Sequence, residues 1–305
     1  MRDSRFDRQL PLFGKAGQDK LRAAHVAVIG AGGTGSALIP QLALLGVGRM
    51  VLVDHDEVEE SNRNRHFCAR HSDPIPGTPK VDTARRMIAE YDPTIAVECV
   101  GTSVLTKEGF DAVKSADFVF GCVDLEGVRL VLTELCAAYD KPYIDVSSGV
   151  EPGDPPRYGG RVCCSVAGHG CLVCMGELDM AEAARDLETP AERKDREAIY
   201  GVRADLLGER GPSVVSINAV VASLAATEFM KLCTGLDQPT RTLKYDGRMS
   251  RVSVSRDEPQ ADCYYCNAAR GTGAMADVER FLRSTARPTL AGGSVTVPPS
   301  SPPRG

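Results

Sequence analysis

Short apolar runs alternate with stretches of helical periodicity through the first half of the chain. His25–Ile29 (HVAVI) and Arg49–Val53 (RMVLV) are apolar runs of strand length, and residues 36–45, between them, are apolar at helical spacing. This order predicts a strand–helix–strand unit. Further helices are predicted over 80–91 and 127–139, and further strands over 96–100, 117–122 and 143–146. The alternation predicts a mostly parallel sheet with helices on both faces.

The pattern changes after about residue 150. Pro and Gly in residues 151–160 predict a loop, and the charged stretch 175–210 predicts an exposed, partly helical excursion. The most apolar stretch, 214–232, contains polar residues such as Asn218, which favours a buried helix over a membrane span. Further predictions are a strand over 161–166, a hairpin of 241–245 and 250–255 around Asp246-Gly247, and a disordered tail over 287–305.

Composition and charge narrow the class of protein. The 305 residues carry 36 Lys and Arg against 41 Asp and Glu, a net charge of −5, which disfavours a general nucleic-acid binder. The opening MRDSRFDRQL has no apolar signal core. We therefore expect a cytoplasmic protein with reduced thiols and with no nucleic-acid or membrane partner. Its 11 cysteines then need another explanation.

A glycine motif directly follows the first predicted strand. Gly30, Gly32 and Gly35 form G-x-G-x-x-G, and Asp54 ends the next strand, 19 residues after Gly35. Backbone N–H groups at a helix N-terminus can face a phosphate there, and a carboxylate can accept from ribose hydroxyls. By itself the motif suggests an NAD-dependent oxidoreductase.

The residues after Asp54 favour a triphosphate over NAD. Asp56, Asn62, Arg65 and His66 lie just past the strand, and Lys80 follows in GTPK. Two carboxylates can hold a ribose and Mg²⁺, and a cluster of Arg and Lys can clamp a triphosphate and neutralise developing charge. Hydride transfer from NAD has no such need for cations.

Taken together, these motifs resemble a known family. GAGGTG, VDHDEVEESNRNRHF, GTPK and GCVD, with Arg5-Phe6-Asp7-Arg8-Gln9 at the start, resemble the ThiF and MoeB type adenylyltransferases related to ubiquitin-activating enzymes. The resemblance extends from Arg5 to about Cys266. It implies an α/β, Rossmann-like, doubly wound mixed sheet, with a parallel N-terminal half, an antiparallel C-terminal half and a structural zinc site.

The resemblance also implies roles for individual residues. The substrates would be ATP, with Mg²⁺, and the C-terminal carboxylate of a small ubiquitin-like or sulfur-carrier protein that ends in Gly-Gly. Arg8 would reach the γ-phosphate from the other subunit, which implies a homodimer. The implied catalytic residues are Arg8, Arg65, Lys80 and Asp124, and the implied nucleotide-binding residues are Gly30, Gly32, Gly35, Asp54, Asp56, Asn62, Arg65 and Lys80.

Two pairs of cysteines have metal-ligand spacing. Cys171 and Cys174 form one C-x-x-C pair, and Cys263 and Cys266, about 90 residues later, form another. Together they predict a tetrahedral structural Zn²⁺ site, with redox-active pairs or free core thiols as alternatives. The family to which the chain is similar has the same arrangement. The other seven cysteines are predicted to pack in the core.

One absence bears on the mechanism. Relatives that pass the activated protein to a thiol carry a cysteine in the crossover segment, but residues 175–212 contain none, and Gly208 lies near the expected position. The sequence thus fits an enzyme that stops at the acyl-adenylate. The alternative is adenylation of a ribosomal peptide in natural-product biosynthesis; an NAD-dependent oxidoreductase or a catalytically silent binding module fits less well.

The same resemblance suggests how the chain is organised. Residues 1–270 would form the adenylation domain, with an N-terminal arm (1–24), a nucleotide-binding part (25–150) and a crossover and acceptor-binding part (151–270). A C-terminal helix and a disordered tail would occupy 271–305.

Overall fold

One mixed eight-stranded sheet organises the chain, whose computed structural model describes residues 4–75, 77–188, 211–255 and 258–283. The strands run in the order β3-β2-β1-β4-β5-β6-β7-β8. Pairing is parallel from β3 through β5 and antiparallel from β5 through β8, which confirms the predicted two halves. The strands are β1 His25–Ile29, β2 Arg49–Val53, β3 Ala96–Val100, β4 Phe118–Gly121, β5 Tyr143–Glu151, β6 Arg157–Ser165, β7 Thr242–Asp246 and β8 Arg251–Val254.

Helices cover both faces of this sheet. Strand side chains alternate between two cores: Val26 and Val28 face one, and Ala27 and Ile29 face the other. The first core is closed by α1, α2, α3 and α7, and the second by α4, α5 and α6. In the described residues the α-helices are α1 Leu10–Ala23, α2 Gly33–Leu45, α3 Lys80–Tyr91, α4 Lys107–Ser115, α5 Glu126–Ala138, α6 Met180–Leu187 and α7 Val215–Thr234.

Helix α7 is the longest of these helices and packs in the first core. By length and composition alone it could cross a membrane. In the fold, however, it contacts α1, α2, β5 and β6. Its Phe229 ring packs edge-on against the rings of Phe118 and Phe120, with centroids 5.1 and 5.6 Å away. It therefore occupies the position of a core helix, as its polar interruptions predict.

The helix and strand predictions are confirmed where the apolar pattern is strong. The predicted helices over 80–91, 127–139 and 214–232 correspond to α3, α5 and α7, and the hairpin around Asp246-Gly247 is β7–β8. Two helices were not predicted. Helix α1 was missed because it contains Pro11, Gly14 and Gly17, which usually disfavour helix. Helix α4 is short, and it begins where Thr106 Oγ1 accepts from the backbone N–H of Gly109.

The prediction that 151–160 is a loop is confirmed for 152–156 and wrong for the residues on either side. β5 continues to Glu151 and β6 begins at Arg157, so only 152–156 connect them. The glycines here fit close strand packing. A Cβ at Gly159 would lie 2.0 Å from the Tyr245 carbonyl oxygen, and one at Gly160 would lie 2.2 Å from the Ser147 carbonyl oxygen. Glycine in a strand thus marks close approach of backbones here, not a break.

The C-terminal helix predicted after residue 270 is also not found in the described residues. Residues 271–283 instead form two 3₁₀ turns, Gly273–Ala276 and Val278–Phe281. Positive φ at Gly271, Gly273 and Asp277 interrupts any regular helix. The predicted disordered tail, 287–305, and most of the charged excursion, including Gly208, lie outside the described residues.

Candidate functional site

A cleft of about 600 Å³ opens at the carboxyl ends of the parallel strands. The helix after β1 covers one face of the sheet and the helix after β4 covers the other, and such a switch point is where doubly wound sheets bind ligands. The ends of four neighbouring strands, β3, β2, β1 and β4, with the segments after them, and the second half of β5 line the cleft. They contribute residues 102–104, 53–56, 29–30 with 32–34, 122–125 and 146–150.

The glycine loop between β1 and α2 approaches its neighbours too closely for side chains. Gly30 has a φ of +90°, and a Cβ there would lie 2.5 Å from the Cys122 carbonyl oxygen. Gly32 lines the cleft, and nothing lies within 4 Å of its Cβ position. The first N–H groups of α2 are therefore accessible, an arrangement that binds phosphate.

Gly35 lies behind this loop and does not line the cleft. A Cβ at Gly35 would lie 1.9 Å from the Gly30 carbonyl oxygen, so the glycine allows α2 to pack on the loop. This differs from the expectation that all three glycines lie under the nucleotide.

Gly35→Ala should therefore destabilise the loop and the fold. We expect the free energy of unfolding to fall by about 1–3 kcal/mol, the usual cost of overpacking a filled site. Chemical denaturation measures this value. Gly101→Ala is the matched control, since nothing lies within 4 Å of its Cβ position. Equal losses in the two variants would contradict the packing role.

Asp54 holds the glycine loop in place. Its Oδ2 accepts from the Ala31 N–H at 2.7 Å, and its Oδ1 accepts from the Asp56 N–H at 2.8 Å. Both oxygens are thus tied to backbone and retain lone pairs for a further donor. A carboxylate at this position lines the cleft, where the sequence predicts ribose binding.

Lys80 is the most buried cation of the cleft. Its side chain is 6% exposed, and its Nζ lies 2.7 Å from Asp56 Oδ2. The Lys80 backbone N–H also donates to the Asp56 carbonyl. Asp56 thus fixes the ammonium group and compensates part of its burial.

Arg65 and Asn62 come from one turn that follows β2. Arg65 lines the cleft and donates from Nη1 to the Ser61 carbonyl at 2.5 Å. Asn62 is buried, and its Oδ1 accepts from the Glu59 N–H at 3.1 Å. The amide of Asn62 therefore shapes the turn that presents Arg65.

Asp124 is exposed on the loop after β4 and also lines the cleft. The sequence reasoning missed the residue that holds this loop. Arg129 is buried, and its Nη2 donates to the Val123 carbonyl at 2.8 Å and to Ser147 Oγ at 3.0 Å. Its charge is balanced by Glu126 and Asp145. The available signal was the single basic residue of a helix in which most residues are apolar.

A second missed group joins the first turn of α7 to the cleft. Asn218 is fully buried, and its Oδ1 accepts from Ser148 Oγ at 2.7 Å. Its Nδ2 donates to Ser213 Oγ at 3.0 Å and lies 2.4 Å from where a Cβ on Gly33 would be. Ser148, Ser213 and Gly33 all line the cleft. The only sequence signal was a polar interruption of the apolar stretch.

Arg8 is not brought to this cleft. It is exposed on the segment before α1 and is absent from the cleft lining. Within the described part of the chain, the structure gives it no hydrogen bond or ion pair. Its predicted phosphate contact would require a second copy of the chain.

The four cysteines of the two C-x-x-C pairs form one cluster. Their Sγ atoms all lie within 4.8 Å of one another, and the Cys171–Cys174, Cys171–Cys263 and Cys174–Cys266 distances are 3.8, 3.7 and 3.7 Å. A tetrahedron with Zn–S bonds of about 2.3 Å has edges of about 3.8 Å. The donor set and its dimensions therefore fit Zn²⁺.

The other seven cysteines lie in the core or near it, where burial makes their thiols hard to ionise. Cys122 alone lines the cleft, and burial raises its pKa to about 12. Burial likewise raises the pKa of Cys68 to about 12 and those of Cys99 and Cys233 to about 11. A thiol with such a pKa is a poor nucleophile at neutral pH. The remaining three, Cys136, Cys163 and Cys164, also have raised pKa values because they are buried.

Comparisons of this sequence with known proteins all point to one family. The model of the ThiF family matches residues 6–267. The molybdopterin-synthase adenylyltransferase of Escherichia coli (strain K12) is 30% identical over 86% of this chain and 95% of its own length. The adenylyltransferase and sulfurtransferase MOCS3 of Drosophila yakuba is 27% identical over 91% of this chain and 56% of its own length. The chain spans about half or less of the MOCS3 relatives that it matches first.

Solved structures show the same fold. The microcin C7 biosynthetic enzyme MccB in complex with N-formylated MccA has a TM-score of 0.69 at 20% identity, covering 87% of this chain and 76% of that one. Escherichia coli MccB with ATP has a TM-score of 0.67 at 19% identity, covering 87% and 75%.

Proposed function

Since the chain belongs to the ThiF family, we propose that it is an ATP-dependent adenylyltransferase that activates the C-terminal carboxylate of a small ubiquitin-like or sulfur-carrier protein. The product is an acyl-adenylate, and pyrophosphate is released. One observation carries the proposal: a single cleft brings an open glycine loop together with Arg65, Lys80 and Asp124. The names of the relatives, which are adenylyltransferases, support it.

Each residue of the cleft has its own role in the transfer of the AMP group to the carboxylate. The N-terminal amides of α2 and the cations Arg65 and Lys80 bind the phosphates and stabilise the charge that develops on them. Asp54 holds the loop and accepts from the ribose. The attacking carboxylate is already ionised at neutral pH, so no general base is needed. Catalysis then depends on positioning and electrostatics.

Mg²⁺ would be bound by Asp124 together with phosphate oxygens of ATP. A carboxylate exposed in the cleft suits this ion, which usually takes one or two carboxylates and substrate phosphates. Bound there, it would neutralise phosphate charge. Arg129 supports this role because it holds the carbonyl of the residue before Asp124.

The quaternary structure and location remain parts of the proposal. Arg8 would act on the γ-phosphate in the partner's cleft, so the active enzyme would be a homodimer. Residues 1–270 would form the adenylation domain, with 1–24 as its arm. We also keep the prediction of a cytoplasmic location and of no nucleic-acid partner.

The proposal ends at the acyl-adenylate. The sequence has no cysteine in 175–212, and the cysteines outside the zinc cluster are poorly ionisable. Any thiol or sulfur chemistry would then belong to another protein. The cysteine cluster would hold a structural Zn²⁺, because four thiolates leave no open coordination position for chemistry.

Adenylation of a ribosomal peptide is the alternative. The fold similarity to the microcin C7 biosynthetic enzyme MccB, solved in complex with N-formylated MccA, supports this alternative. Nothing in the described cleft separates the two acceptors. An NAD-dependent oxidoreductase is less well supported, because its chemistry gives no role to the cations Arg65 and Lys80 in the cleft.

An exchange assay tests both readings. The purified chain, ATP, Mg²⁺ and labelled pyrophosphate are incubated with candidate proteins that end in Gly-Gly and with ribosomal peptides. Label should enter ATP only when a suitable acceptor is present. Exchange with a Gly-Gly protein supports the main proposal, and exchange with peptides alone supports the alternative.

A further inference from the structure

A buried histidine lies in the cleft without a role in the proposal so far. His66 is 5% exposed and belongs to the turn after Asn62, to whose carbonyl its backbone N–H donates. It lines the cleft beside the glycine loop and Lys80. The side chain therefore stands between two groups that the proposed function assigns to phosphate binding.

Both ring nitrogens of His66 are buried and make no hydrogen bond within the described residues. The backbones of Ala31 and of His66 itself lie close enough to the ring to raise its pKa, but neither meets hydrogen-bond geometry. Leaving such groups unpaired costs free energy, so native proteins rarely keep them without a partner, a water or a function. A phenylalanine would fill the same space without this cost.

The imidazole ring of His66 is neutral at neutral pH. Burial, assisted by the nearby charge of Lys80, lowers the pKa of His66 to about 4. A neutral imidazole carries one N–H donor and one acceptor. It can therefore donate to an anionic oxygen without adding a second positive charge next to Lys80.

We propose that His66 is a further nucleotide-binding residue, whose imidazole N–H donates to a non-bridging oxygen of the phosphate chain. The inference rests on the proposed function, because it takes ATP as the ligand of the cleft. The phosphate chain is the best partner, since Lys80 and the glycine loop flank the ring. Nucleotide binding would give a partner to one of these two ring nitrogens.

The test compares ATP affinity with stability in the full chain. His66→Phe should bind ATP with Mg²⁺ on the order of tenfold or more weakly in calorimetry, since hydrogen bonds to charged groups are the strong ones. Without nucleotide it should unfold at the same temperature as the wild type or higher. His66→Gln, which keeps a donor, should recover much of the affinity. His66→Leu, which also removes both nitrogens, serves if the Phe variant does not fold.

His25→Phe is the matched control. His25 is also buried with one unpaired ring nitrogen, but it lies at the opposite end of β1, and its variant should bind ATP like the wild type. Unchanged ATP affinity in His66→Phe would overturn the inference and leave the proposed function intact. Failure of the wild type to bind ATP would overturn the proposed function itself.

Discussion

Lys80→Ala is expected to lower the rate of ATP–pyrophosphate exchange by about 10²–10³-fold, the usual effect of removing one preorganised group that stabilises transition-state charge. Lys80 is buried, and its Nζ is fixed 2.7 Å from Asp56 Oδ2. The substitution removes the cation that would face the phosphates, and a water molecule in its place would carry no positive charge. The rate is measured at saturating acceptor and ATP.

Lys107→Ala controls for a general effect of losing a lysine. Lys107 is exposed, pairs with Asp111 on α4 and does not line the cleft. Its variant should exchange at the wild-type rate, because exposed pairs contribute little. Normal exchange in Lys80→Ala would remove this residue from the catalytic site.

Cys263→Ser is expected to lower bound zinc from about one ion per chain to none or nearly none. The four Sγ atoms bring the segment after β6 and the segment after β8 together in one cluster. Structural zinc in small domains contributes about 10–16 kcal/mol of binding free energy, as large as the whole stability of many proteins. We therefore expect a large fall in unfolding temperature.

Metal analysis by atomic absorption and thermal unfolding measure these two effects. Cys233→Ser is the control: this cysteine is also buried but lies on α7, outside the cluster. Its variant should keep its zinc, whatever its own cost in stability. Equal zinc content in the two variants, or no zinc in reduced wild-type protein, would contradict the metal site.

The parts of the fold that the sequence predicts well have short-range causes. β1 and β2 are continuous apolar runs because parallel strands are buried on both faces, and each is fully or almost fully buried. The glycine motif lies between them in sequence, so its place at the edge of the sheet follows. The cysteine pairs were predictable because C-x-x-C spacing and residue type already define a metal site.

The parts that were missed depend on contacts between distant segments. Asn218 accepts a hydrogen bond from Ser148, 70 residues earlier, and no local sequence pattern predicts this contact. Half of the loop predicted over 151–160 is strand, and Gly159 and Gly160 there meet backbone from other segments. Arg8 has no site within one described chain, so its predicted role depends on a second subunit.

The most direct test of the central claim is whether exchange requires the acceptor's free C-terminal carboxylate. The same acceptor is prepared with its C-terminus free and as the amide, and both are assayed with the purified chain, ATP and Mg²⁺. The account predicts labelled pyrophosphate entering ATP with the free acid, the AMP moiety joined to the acceptor's carboxylate as an acyl-adenylate, and no exchange with the amide. Equal exchange with both forms, or cleavage to ADP and phosphate, would contradict acyl-adenylate formation.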